Sequence, residues 1–150
     1  MLFKRQNSRK SELMHKISNQ ELQSINLLEE NTGARAKDVI AFEDSIVFVV
    51  EKGDLGRAIG RNGNNIQKLR RAFDKNVEVV EDAEDVKQFA QNVFYPAKVI
   101  EAKQSNDKKT LLVKVENKDR GIAIGKGGER IKRAKTLFER HFQIDDVKIV

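Results

Sequence analysis

The chain has 150 residues, 39% hydrophobic and 35% charged, with a formal net charge of +6; this supplies one ordinary core or two small ones, but not a membrane protein. The longest unbroken apolar run, residues 46–50, is far short of the ~20 residues that cross a bilayer, and the basic start (Lys4, Arg5, Arg9, Lys10) is not followed by the apolar stretch of a secretory signal. No cysteine is present, which excludes disulfides, thiolate metal sites and cysteine nucleophiles, so a soluble cytoplasmic chain with no membrane partner is expected.

In chain order, residues 1–16 form a basic tail. Ser18-Asn19-Gln20-Glu21 spells a capping box with Ile17 and Leu22 at the staple positions, which predicts a helix start. Leu22, Ile25 and Leu28 supply its apolar stripe, and Gly33 is placed to stop it. Residues 39–42 and 46–50 are rich in β-branched and aromatic side chains around Glu43-Asp44-Ser45, which predicts a hairpin. Asp54 is placed to cap a short helix running through Ile59. Ile66, Leu69 and Phe73 mark a longer helix, and residues 77–80 a last strand. The second half repeats this order. Val86, Phe89, Ala90 and Val93 keep the i, i+3, i+4, i+7 spacing of a helix beginning after Asp82 and ending before Pro96. Strands at about 97–103 and 110–116 flank a turn at 104–107, helices flank residues 125–128, and residues 147–150 form a terminal strand. The expected units are 17–81 and 82–150, each αββααβ.

An internal repeat carries the division into two. Placing Gly60 on Gly125 aligns residues 45–80 with 110–145 without a gap. Val50, Glu51, Asp54, Gly56, Ala58, Ile59, Gly60, Gly63, Ile66 and Phe73 then fall on identical residues, Val115, Glu116, Asp119, Gly121, Ala123, Ile124, Gly125, Gly128, Ile131 and Phe138. Arg61, Lys68 and Lys75 fall on the basic residues Lys126, Arg133 and Arg140. Duplication of one unit accounts for this pattern. Charge follows the repeat: residues 52–76 carry seven Lys/Arg against two Asp, and residues 117–141 eight against three Asp/Glu, so each segment is +5 while the whole chain is +6. Positive charge concentrated in this way is the footprint of a polyanion binder.

Both basic segments read apolar, apolar, Gly-x-x-Gly, then helix: Ala58-Ile59-Gly60-Arg61-Asn62-Gly63 and Ala123-Ile124-Gly125-Lys126-Gly127-Gly128. A turn without side chains at its ends lets a sugar-phosphate backbone approach closely. The following helix offers unpaired N–H groups and the positive end of its dipole to a phosphate, and Arg61 and Lys126 add mobile charge at the tips. The two segments closely resemble the KH motif, whose G-x-x-G loop clamps about four nucleotides. The element order resembles the type II variety, giving an α+β fold in which each three-stranded sheet carries its helices on one face. Two such domains in tandem resemble the KH region of NusA-like transcription factors, especially the short archaeal ones, over residues 17–150.

The resemblance implies a monomeric single-stranded RNA-binding factor of transcription elongation, termination or antitermination. RNA polymerase is a candidate partner, although the long amino-terminal polymerase-binding domain and S1 domain of bacterial NusA have no counterpart here. The expected RNA-binding residues are Ile59, Gly60, Arg61, Asn62, Gly63, Ile66 and Lys68, with Ile124, Gly125, Lys126, Gly127, Gly128, Ile131 and Arg133. The four isoleucines carry two expectations, core position and groove floor. A ribosome-associated role binding ribosomal RNA is the alternative, since type II KH domains also resemble part of a small-subunit ribosomal protein.

Competing readings fit less well. A Walker A loop needs four residues between its glycines and Ser or Thr after the Lys, whereas Gly121 and Gly125 enclose three and Gly127 follows Lys126. The dinucleotide fingerprint fails at Arg130, where it needs glycine. No catalytic residues and no cofactor are therefore expected. His15 and His141 lack ligand spacing, so no metal site is expected either. The acidic cluster Glu78, Glu81, Asp82, Glu84 and Asp85 reads as a helix cap and first turn rather than a magnesium site. Phe48, Phe73, Phe89 and Phe138 read as core, and the aromatics form no stacking platform of the RRM kind.

Overall fold

The computed structural model describes residues 18–150, which divide after Asp82 into two compact units. The basic tail, His15 and the staple position Ile17 lie outside the described residues.

In the first unit, Ser18 and Glu21 exchange both capping-box hydrogen bonds, at 3.1 and 3.0 Å, and open helix α1 (Asn19–Thr32). Gly33 ends it in the left-handed region at φ 76°, where a side chain would be strained. Ile25 and Leu28 are buried, but Leu22, expected in the same stripe, is exposed. It stands in the first turn of the helix. Strands β1 (Ala36–Ala41) and β2 (Ser45–Val50) pair antiparallel, and β2 pairs parallel with β3 (Asn76–Glu81) after helices α2 (Leu55–Ile59) and α3 (Asn64–Phe73). Val39, Ile46, Phe48, Val50 and Val77 share one face of the sheet and pack with Ile25, Leu28, Ala58 and Leu69 of the helices. All six residues of β2 are buried, so both faces of this central strand are covered; this is why 46–50 reads as an unbroken apolar run instead of an alternation.

The second unit has the same order: α4 (Val86–Phe94), β4 (Val99–Gln104), β5 (Thr110–Val115), α5 (Arg120–Ile124), α6 (Glu129–Phe142) and β6 (Asp146–Ile149), with sheet order β4-β5-β6. Its core is more aromatic. Phe89 meets Phe138 edge-on at 5.2 Å and His141 at 5.7 Å, so His141 is a packing histidine, only 1% exposed. Both hairpins carry an irregularity at the same place, between Ala36 and Asp38 and between Val99 and Glu101.

Three local expectations are corrected. The ungapped repeat ends at Phe73 and Phe138: α3 stops there with Asp74 left-handed at φ 52°, whereas α6 runs on to Phe142 and stops at Gln143, φ 58°. Asn76 consequently pairs with Ser45 where Asp146 pairs with Thr110, five residues later than the repeat implied. Lys75 and Arg140 are thus not equivalent: Lys75 lies in the turn beyond α3 and Arg140 inside α6. The acidic cluster is also dispersed. Asp85 alone caps α4, accepting from the Gln88 N–H at 2.9 Å, and the first turn of α4 contains no acid. Asp82 pairs with Lys37 at 3.0 Å, and Glu81 accepts from the Gly53 N–H at 2.6 Å. Finally, Asp54 occupies the cap position of α2 without its side chain capping an N–H of the helix; its carboxylate meets the Arg57 side chain at 3.5 Å and is otherwise used elsewhere.

Candidate nucleic-acid interface

The two glycine loops have the same backbone. Gly60 lies at φ 78°, ψ 169° and Gly125 at φ 79°, ψ 168°, a region open essentially only to glycine. The third loop residue is left-handed in both, Asn62 at φ 55° and Gly127 at φ 64°. This explains the otherwise unlike tips, because asparagine is among the few side-chain-bearing residues that accept this conformation. The last glycines are left-handed too, Gly63 at φ 74° and Gly128 at φ 77°.

Each loop closes on itself through the N–H of Gly63 to the Gly60 carbonyl at 3.0 Å, and of Gly128 to Gly125 at 3.1 Å. The first N–H of each following helix, on Asn64 and Glu129, is also spent, on the carbonyls of Arg61 and Lys126. The expected supply of unpaired N–H groups at the helix start is therefore reduced by one. These bonds leave aside the N–H groups of residues 61 and 62 and of 126 and 127, at the exposed tips. Neither helix has a side-chain cap at its glycine N-terminus, so the positive end of each dipole faces the loop.

The expected residues gather around these loops in unequal ways. Arg61, Asn62, Lys126 and Gly127 are exposed. Ile59, Ile66 and Ile131 are half-buried and Ile124 is 37% exposed, so all four are accessible from solvent. Ile66 lies against Gly63, its Cγ2 being 3.8 Å from where a Cβ would stand, and Ile131 against Gly128 at 4.0 Å. An apolar surface thus begins directly beside each loop. Lys68 is exposed on α3, but Arg133 is not its equal: its side chain is 13% exposed and bridges Glu129 at 3.4 Å. Glu129 stands in the first turn of α6, where it would repel a phosphate, and Arg133 offsets it. The matching position in the first unit is the neutral Asn64.

Sequence reading missed what holds the loops in place. The Asp54 carboxylate accepts from the Arg35 N–H at 2.9 Å, and Asp119 from the Lys98 N–H at 2.9 Å, tying the start of the short helix to the chain entering the first strand. The signal was available: both are among the ten repeat identities, at a polar position outside the loop. Asp119→Ala is expected to lower stability by about 1–3 kcal/mol, because it strands a partly buried N–H, and Asp119→Asn by less because an acceptor remains. Urea denaturation checks both. The residue two after each loop was also missed. The Asn65 side chain donates to the Arg57 carbonyl at 2.7 Å, and in the second unit Arg130 donates from Nη1 to the Tyr95 carbonyl at 3.3 Å.

The described residues contain no helix long and apolar enough to cross a membrane and no group of three or more His, Asp or Glu able to hold a metal.

Comparison with known proteins agrees with this geometry. Residues 86–150 match the model of the NusA-like second KH domain, and residues 23–99 match that of the KH domain. A probable transcription termination protein NusA from Halococcus morrhuae is 36% identical over 134 residues, covering 89% of this chain and 96% of that protein. A protein of the same name from Methanococcus vannielii is 33% identical, covering 90% and 79%. The crystal structure of APE1850 matches with a TM-score of 0.78 and 37% identity, over 89% of this chain and all of that one. Two units of αββααβ order, each with a glycine loop of one backbone geometry and matched by a KH family model, together with relatives aligned over nearly their whole length, show that the chain belongs to the NusA-like family of KH-domain proteins.

Proposed function

We propose that the chain binds single-stranded RNA through both Gly-x-x-Gly loops, without chemistry of its own, and acts in the cytoplasm as a transcription termination or antitermination factor that contacts RNA polymerase. The observation that carries this reading is the pair of loops with matching dihedral angles, each with an exposed cation at its tip and accessible isoleucines beside it. One loop could be an ordinary helix-helix turn. Two kept in the same glycine-only conformation, in segments of +5 each, are what backbone capture demands. The relatives named probable transcription termination protein NusA support the transcriptional setting, and co-purification with RNA polymerase tests it.

Binding is expected to favour unpaired RNA, because a KH groove reads base edges that a duplex occupies. With about six phosphates neutralised by the two loops and their flanking basic residues, log affinity should fall with log salt at a slope of about −4, from about −0.7 per phosphate. Two clamps of about four nucleotides should also need at least about eight for full affinity. Fluorescence titration of one unstructured RNA, its duplex and shorter fragments at several salt concentrations measures all three. Tighter binding to the duplex, or a slope near zero, refutes the reading.

A further inference from the structure

The two units differ at one pair of touching positions beside the loops. Arg35 and Lys98 make the same N–H bond to the aspartates at the short-helix starts, so they are equivalent, and counting back three residues sets Thr32 against Tyr95. The repeat sets Asn65 against Arg130. In the first unit Asn65 turns inward, onto the Arg57 carbonyl. In the second, Arg130 reaches to the end of α4 and holds the Tyr95 carbonyl at 3.3 Å. The same Arg130 backs the loop directly: a Cβ on Gly125 would stand 2.8 Å from both its N and its Cβ. Tyr95 is therefore tethered, through one residue, to the first glycine of the second clamp.

Tyr95 is 72% exposed, and among the described residues it is the only exposed aromatic. Nothing in the packing of its unit calls for a ring there, since Phe89, Phe94 and Phe138 already fill the core. On α5, which leads directly into the same loop, Ile122 and Ile124 are exposed, where the first unit has Arg57 and the half-buried Ile59. The surroundings of the second loop are more apolar and carry a π face; those of the first are more cationic.

We infer that Tyr95 is a base-stacking platform attached to the second clamp, which adds a nucleotide subsite outside the Gly-x-x-Gly loop and makes the two RNA sites unequal. Any base offers a π face, so the platform binds without choosing sequence. A tyrosine ring supplies a large rigid contact at little entropic cost. The inference rests on the RNA-binding reading, and its test separates the two.

The full chain is titrated with an unstructured twelve-nucleotide RNA (about four nucleotides per clamp plus flanks) as wild type, Tyr95→Ala, Tyr95→Phe and the loop variant Lys126→Asp/Gly127→Asp. Loss of the stacked base is expected to weaken Tyr95→Ala about tenfold, with Tyr95→Phe within about twofold of wild type. Because the chain has one tyrosine and no tryptophan, 3-fluorotyrosine gives a single ¹⁹F resonance. It should move on saturation with RNA and stay fixed in the loop variant. If Tyr95→Ala binds like wild type while the loop variant loses affinity, the clamp stands and the platform falls. If Tyr95→Phe loses as much as Tyr95→Ala, the hydroxyl is the contact and stacking is overturned. If neither the loop variant nor Tyr95→Ala changes binding, both the platform and the RNA reading fail.

Discussion

Reversing the charge of both loop tips, Arg61→Asp with Asn62→Asp and Lys126→Asp with Gly127→Asp, is expected to weaken RNA binding by at least about 100-fold while leaving the fold intact. The first half follows from what is removed. Each tip loses a cation able to make a charge-assisted contact worth about 1.5–3 kcal/mol, and each gains carboxylates facing the same phosphates. Two such losses amount to about 3–6 kcal/mol, or two to four decades in affinity. The second half follows from the backbone. All four residues are exposed, and Gly127 has open space where a Cβ would stand. Asn62 and Gly127 are left-handed at φ 55° and 64°, where aspartate is one of the better tolerated residues. A titration with unstructured RNA, paired with far-UV circular dichroism and a melting curve, checks both halves. Wild-type affinity in a folded four-site variant would remove the clamp assignment.

How much of this could be read in the residues depends on the range of the interaction. Features set within four or five residues were legible: the capping box at Ser18, the stop at Gly33, the αββααβ order, and the two loops with their glycines. Features set by packing were not. Leu22 has the spacing of a core residue, yet it is exposed. Asp54 has the place of a helix cap, but its carboxylate bonds a backbone N–H 19 residues earlier in the chain. Asp74 and Gln143 end their helices in the left-handed region without being glycine, so no local signal marked where α3 stops and α6 continues. That difference offsets the last strand by five residues from the ungapped repeat and breaks the pairing of Lys75 with Arg140, although the strand itself lies where residues 147–150 announced it. Arg133 looked like a second Lys68 until Glu129 was seen beside it. The two loops were legible because their shape is a backbone conformation, which glycine announces, whereas what supports them is tertiary.

The largest stability effects are expected from the glycines, and these effects should differ by position in a way that composition cannot predict. At Gly60 an added Cβ would stand 2.7–2.9 Å from the backbone N and side chain of Asn65, and at Gly125 it would stand 2.8 Å from Arg130. Both glycines also occupy a region of positive φ and extended ψ that costs a side-chain-bearing residue about 1–3 kcal/mol. Overlap with a backbone atom cannot be relieved by a rotamer change, so a further 1–3 kcal/mol of repacking strain is added. Gly60→Ala and Gly125→Ala should each therefore cost about 3 kcal/mol or more. At Gly63 and Gly128 the nearest atoms are isoleucine methyls at 3.8 and 4.0 Å, an ordinary contact, which leaves the left-handed penalty of about 1–2 kcal/mol alone. Gly127→Asn should be nearly neutral, since Asn62 already holds that conformation in the first unit. Gly56 and Gly121 lie inside short helices with open space around them, and alanine there should stabilise by about 0.5–1 kcal/mol. Chemical denaturation of the four second-unit variants, Gly125→Ala, Gly128→Ala, Gly127→Asn and Gly121→Ala, with the three alanine counterparts in the first unit, orders these costs. The order predicted is the first loop glycine, then the last, then the tip, with the helix glycine of opposite sign. If Gly60→Ala proved as mild as Gly63→Ala, the close approach of α3 to the loop would be wrong, and with it the geometry on which the proposed phosphate clamp depends.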